Sequence, residues 1–87
     1  MENINFIVTL GSDDHEVLDD AVKRILKLAD EKTNLTVFPI QAIIDEGTGR
    51  RIQRRRVRID SSNKNILALA ERIDFQKNVI VTANNGR

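Results

Sequence analysis

"NLTVFPIQAIIDEGTGRRIQRRRVRID", residues 34–60, sets two β-type runs on either side of a glycine-bearing break. The first, residues 34–44, is rich in β-branched residues and closes at Asp45-Glu46-Gly47-Thr48-Gly49-Arg50, where the glycines can supply the positive φ of a tight loop. The second, residues 51–60, then returns antiparallel to the first. Pairing Asp45 with Arg50 and counting outward sets Ile43 opposite Ile52, Phe38 opposite Val57 and Thr36 opposite Ile59. That register accounts for Ile52 being out of phase with Val57 and Ile59. Phe38, Val57 and Ile59 are expected to face a core, while Ile43 and Ile52 pair on the other face near the hairpin tip.

Upstream of this hairpin, Ile4, Phe6, Val8 and Leu10 alternate with Asn5, Ile7 and Thr9, the period of a strand. The period then changes: Leu18, Ala21, Val22, Ile25, Leu28 and Ala29 recur at three and four and form one stripe of a helix. Ser12 or Asp13 is expected to cap it, acids crowd its first turns, and Asp19 with Lys23 and Asp20 with Arg24 stand four apart. Downstream, a second helix is expected after a Ser61 or Ser62 cap, burying Ile66, Leu69, Ala70 and Ile73. A last strand follows, with Val79, Val81 and Ala83 on one face.

The order is β-α-β-β-α-β without internal repeat or linker. With right-handed crossovers it predicts one α+β domain over residues 1–87, a ferredoxin-like sandwich. Its antiparallel sheet would have four strands, the first and third central, with two helices on one face and Phe6, Val8, Val57 and Ile59 at the centre of the core.

Eighty-seven residues suit a single modest core. Apolar runs of only a few residues exclude a membrane-spanning helix, and the start, Met-Glu-Asn-Ile-Asn-Phe, lacks the basic and apolar regions of a signal peptide, so a cytoplasmic location is expected. The chain has no cysteine, which excludes disulfides and thiolate metal sites. Its net charge of +1 conceals a division: residues 1–46 carry ten acids and four bases, residues 47–87 ten bases and three acids. A polyanion responds to the field of one face, so the local excess matters more than the total.

Enzymatic readings find little to work with. His15 stands beside four acids in a first helical turn, the place of a surface residue rather than a catalytic base. Asp13, Asp14, Glu16, Asp19 and Asp20 lack the spacing of a calcium loop and suit a solvated helix start. Gly47-Thr48-Gly49-Arg50 is followed by a strand, with no Gly-Lys-Ser/Thr, which argues against a phosphate-binding loop for nucleotides. No catalytic residue, metal, cofactor or small-molecule substrate is expected.

Six arginines lie between Gly47 and Asp60. The register places Arg54, Arg56 and Arg58 on the face opposite the helices, Arg51 and Arg55 on the other side beyond the edge of the core, and Arg50 at the loop. A guanidinium offers a planar fork of donors that suits phosphate oxygens and stacks on bases. The plainer reading is a solvated strand protected from edge pairing, or arginines paired with the acidic first helix; a central position for this strand weakens the first of these. Nucleic acid is therefore the expected partner. The open face is expected to present Asn5, Ile7, Thr9, Val37, Ile80 and Thr82 and no aromatic residue, so bases should not stack on the sheet. Its aliphatic members Ile7, Val37 and Ile80 are expected to contact a protein neighbour.

Three stretches resemble the small-subunit ribosomal protein S-ten family across nearly the whole chain. Asp14, His15, Leu18 and Asp19 match the start of that family's first helix, and Pro39-Ile40 its Gly-Pro-Ile. "RRRVRID" followed by "NILALAERIDFQKNVIVT" resembles its third strand, second helix ending at Arg72-Ile73, and final strand with Val79 and Val81. Phe38 stands where the family has glycine, and the hairpin is shorter than the family's long loop. The resemblance implies a ribonucleoprotein role in translation: an rRNA-binding component of the small ribosomal subunit, or a paralogue, gripping phosphates through Arg50, Arg51, Arg54, Arg55, Arg56 and Arg58 beside neighbouring ribosomal proteins. Two other functions fit the same charges, a small DNA-binding or chromatin-type protein and a module that meets an acidic protein.

Overall fold

Phe6, Val8 and Leu10 alternate along the first strand, and each is buried to within 4% of full exclusion. They anchor a sheet that carries its helices on one side. The computed structural model describes residues 3–85. Its elements are β1 (Ile4–Ser12), α1 (His15–Leu26), β2 (Thr33–Val37), β3 (Gln41–Ile44), β4 (Arg51–Ser61), α2 (Ile66–Glu71) and β5 (Ile80–Asn85). All strand pairings are antiparallel. The sheet runs β2-β4-β1-β5, with β3 also paired to β4, so β4 and β1 are central. Phe6, Val8 and Leu10 of β1, Val57 and Ile59 of β4, Leu18, Ala21, Val22 and Ile25 of α1, and Ile66 of α2 form one core. Among the described residues no helix is long and apolar enough to cross a membrane.

The expected second strand is two strands, and the difference decides which side chains reach the open face. From Gln41 to Ile44 the pairing follows the hairpin register, with Ile43 opposite Ile52. From Thr33 to Val37 it is shifted by one residue, so that Val37 lies opposite Val57, Leu35 opposite Ile59 and Thr36 opposite Arg58. Pro39 sits at the break: it has no amide to give to a ladder, and an extra residue between Val37 and Gln41 takes up the slack as a bulge. Because side chains alternate across a strand, one inserted residue exchanges the faces on either side of it. Val37 therefore packs partly buried against the core instead of joining the open face, and Phe38 leaves the core for the surface.

The helices depart from expectation at their ends. Asp14, rather than Ser12 or Asp13, caps α1, accepting from the amides of Glu16 and Val17 at 2.9 and 3.3 Å. Ser12 instead accepts from the Asp14 amide at 3.0 Å and holds the cap in place. The helix stops at Leu26, leaving Leu28 half-buried and Ala29 exposed. Of the expected ion pairs, Asp20–Arg24 forms at 2.7 Å; Asp19 is approached at 3.3 Å by His15, four residues before it, and not by Lys23. α2 is a six-residue helix that starts after Asn65. Ser61 is spent elsewhere: it is buried, 2.7 Å from the Thr33 hydroxyl, and accepts from the Asn63 amide. Only Ile66 of α2 is fully buried, and Leu69 is exposed.

Candidate nucleic-acid interface

β4 positions the arginines because its register with β1 is unbroken over nine pairs, from Ile4–Ser61 to Ser12–Gln53. Val57 and Ile59 are fixed inward, so Arg54, Arg56 and Arg58 must project from the opposite face, opposite Gly11, Thr9 and Ile7. Successive members stand about 7 Å apart along the strand. Arg54 donates to Gln41 Oε1 at 2.7 Å and Arg58 to Asn5 Oδ1 at 3.3 Å. Among the described residues none of the three forms an ion pair, although Asp60 continues the same row. Thr9, Thr36 and Thr82 flank them, and hydroxyl groups beside unpaired guanidiniums make a surface ready for phosphate oxygens.

The other predicted arginines occupy different ground. Arg50 is at the hairpin tip and pairs with Asp13 at 3.1 Å, which ties the loop to the start of α1. Arg51 is exposed opposite Ile44. Arg55 lies opposite Leu10, on the helix side of the sheet, half-buried, with its Nε excluded from solvent and without a hydrogen-bond partner. The six residues therefore form a row of three on one face, two on the other face and one engaged at the tip.

The bulge adds what the sequence reading left out. Phe38 is 37% exposed, and together with Ile7, Pro39, Gln41 and Arg56 it lines a hollow of about 210 Å³ on the open face. An aromatic ring thus stands next to the arginine row, contrary to the expectation of a face without aromatics. The signal that could have shown it is Pro39, which forbids an uninterrupted ladder through Phe38-Pro39-Ile40. Of the predicted protein-contact residues, Ile7 is half-buried at this hollow and Ile80 is exposed on the open face, opposite Gly11; Val37 lies on the other side. Ile80 sits near Ile43 and Ile52 at the hairpin end, where Gly11 makes room: a Cβ there would come within 3.3 Å of the end of the Ile52 side chain.

Among the described residues no three His, Asp or Glu side chains converge to hold a metal ion. The geometry can bind anions along β4 and cover one flat apolar group at Phe38. No protein-family model and no curated protein matches the chain. Among solved structures it is similar to an uncharacterized protein from Thermotoga maritima, with 17% identity over 99% of this chain and 100% of that one, and a TM-score of 0.52. At that identity the likeness is one of fold.

Proposed function

We propose that this protein is a non-enzymatic RNA-binding protein that lays a single strand across the open face, phosphates along Arg54, Arg56 and Arg58 and one base against Phe38. The observation that carries the reading is the hollow that joins Phe38 to Arg56. Unpaired bases are recognised by stacking on aromatic rings, and the amide of Gln41 stands ready to meet a base edge. The sheet order, with both helices packed on one side, supports a ferredoxin-like sandwich whose second strand is broken into β2 and β3, a plan that suits sheet-based RNA readers. The motif resemblance suggests the setting: rRNA of the small ribosomal subunit, in the cytoplasm, with Ile7 and Ile80 toward a neighbouring protein.

Fluorescence titration with short single-stranded RNA tests this. Phe38→Ala should weaken RNA binding roughly 5- to 150-fold, the worth of one stacked base, and leave binding of inorganic polyphosphate unchanged. Equal binding of RNA by both proteins would remove the base site from the proposal; failure of both to bind RNA at low salt would remove the function. Co-sedimentation of the native protein with ribosomal subunits then tests the setting.

A further inference from the structure

β5 is an edge strand, paired to β1 without interruption from Gly11–Ile80 to Phe6–Asn85. Its outer backbone groups pair with no other strand among the described residues. Sheet edges in monomers are ordinarily blunted by charge, proline or a bulge. The opposite edge is blunted in that way, cut into short β2 and β3 by Pro39 and the bulge. β5, Ile-Val-Thr-Ala-Asn-Asn, has neither charge nor proline nor bulge. Exposed apolar side chains gather on the same flank: of the seven large hydrophobic residues most open to solvent, Leu67, Leu69, Ile80 and Val81 belong to α2 and β5. A groove of about 280 Å³ separates these two elements, walled by Leu67, Ala70, Ile73, Phe75, Val81 and Ala83.

We infer that β5 pairs antiparallel with β5 of a second copy of this chain, joining the two sheets into one. An edge of this composition is self-complementary, since two uncharged strands meet without like-charge repulsion and a twofold axis matches each free donor with a free acceptor. Keeping core side and open side continuous requires residues of the same parity to pair. An axis at Thr82 satisfies this, setting Val81 beside Ala83 of the second copy and Thr82 beside its own counterpart. The exposed Val81 and Leu67 of both copies then line one seam on the helix side. A separate extended peptide would complete the same ladder, but it would have to bring an apolar face of its own, which a second copy already carries.

Light scattering of the full chain across a range of concentrations should give twice the 9.9 kDa protomer mass. Thr82→Lys, which sets two ammonium groups across the axis, should give a monomer with unchanged circular dichroism, and mixing it with Thr82→Glu should restore a dimer. The absence of native cysteine makes a second test specific. Thr82→Cys should oxidise to a cross-linked dimer, because directly opposed residues of antiparallel strands bring Cα atoms to about 4.5–5.5 Å, within disulfide reach, whereas Thr36→Cys on the same face should stay reduced. A wild type that remains monomeric at high concentration overturns the inference. So does a dimer that cross-links through Thr36 and not Thr82, which would mean stacked open faces. If the lysine variant does not fold, the cysteine pair decides between these outcomes, and neither depends on RNA.

Discussion

Val57 and Arg56 are neighbours in the chain with opposite fates. Val57 is fully buried between Val8 and Val37, while Arg56 stands exposed on the open face. Val57→Asp should therefore destabilise the fold by at least ~3 kcal/mol, because a carboxylate at the sheet centre would be buried without a partner. Arg56→Ala should change stability by less than ~1 kcal/mol. Denaturant melts of the two variants check this, and similar midpoints would contradict the face assignment. Arg56 was legible from its place two residues from Arg54 and Arg58. Phe38 was not, since its orientation depends on where the chain absorbs one extra residue, which local alternation does not specify.

At the scale of elements, the β3–β4 hairpin and the α1–α2 packing rest on a few polar contacts. In the hairpin loop, Asp45 accepts from the amides of Thr48 and Gly49 through its carbonyl, and from the Thr48 hydroxyl through its carboxylate. Gly49 has φ of 71°, and a Cβ added there would meet nothing within 4 Å. Gly49→Ala should thus cost about 1–2 kcal/mol from backbone conformation alone, read as a lower denaturation midpoint with unchanged spectra. On the other side of the sheet, Asp20 accepts from Gln76 at 3.0 Å and from Arg24, which also donates to the Asp74 carbonyl, so α1 is tied to the segment after α2. The Gln76 hydrogen bond, followed by Arg24, holds the Asp20 carboxyl below its ordinary value of 3.8. A lowered folded-state value means that this carboxylate stabilises the fold above its unfolded pKa and that the contribution is lost as pH falls through the lower, folded value. Denaturation midpoints followed from neutral pH into the acid range should therefore fall less steeply for Asp20→Asn than for the wild type.

Across the whole molecule, the acidic first half and basic second half fold onto each other without neutralising the arginine row, because the acids of α1 lie on the helix side and Arg54, Arg56 and Arg58 on the other. Replacing Arg51, Arg54, Arg55 and Arg56 together by Gln should keep the fold while making the slope of log affinity for RNA against log salt shallower by about three, at somewhat under one unit per lost phosphate contact. Replacing Lys23, Lys27 and Lys32 by Gln should change it much less, since neighbouring acids already offset their field. Titrations at several salt concentrations compare the two, and a greater loss in the lysine variant would move the binding surface to the helix side.

Composition, period and charge by themselves determined an α+β chain of strands and two helices, the inward faces of β1 and α1, the hairpin register near its tip and the direction in which the arginines point. These follow from neighbours in sequence, through side-chain alternation and helical spacing. Only the tertiary structure decided that Val37 turns in and Phe38 out, that Arg50 is engaged by Asp13, and that β5 is left as an uncharged edge beside an apolar groove. Each of these depends on a partner far along the chain. A bulge is placed by the ladder across from it, an ion pair by the meeting of two loops, and an edge by the order in which strands join the sheet.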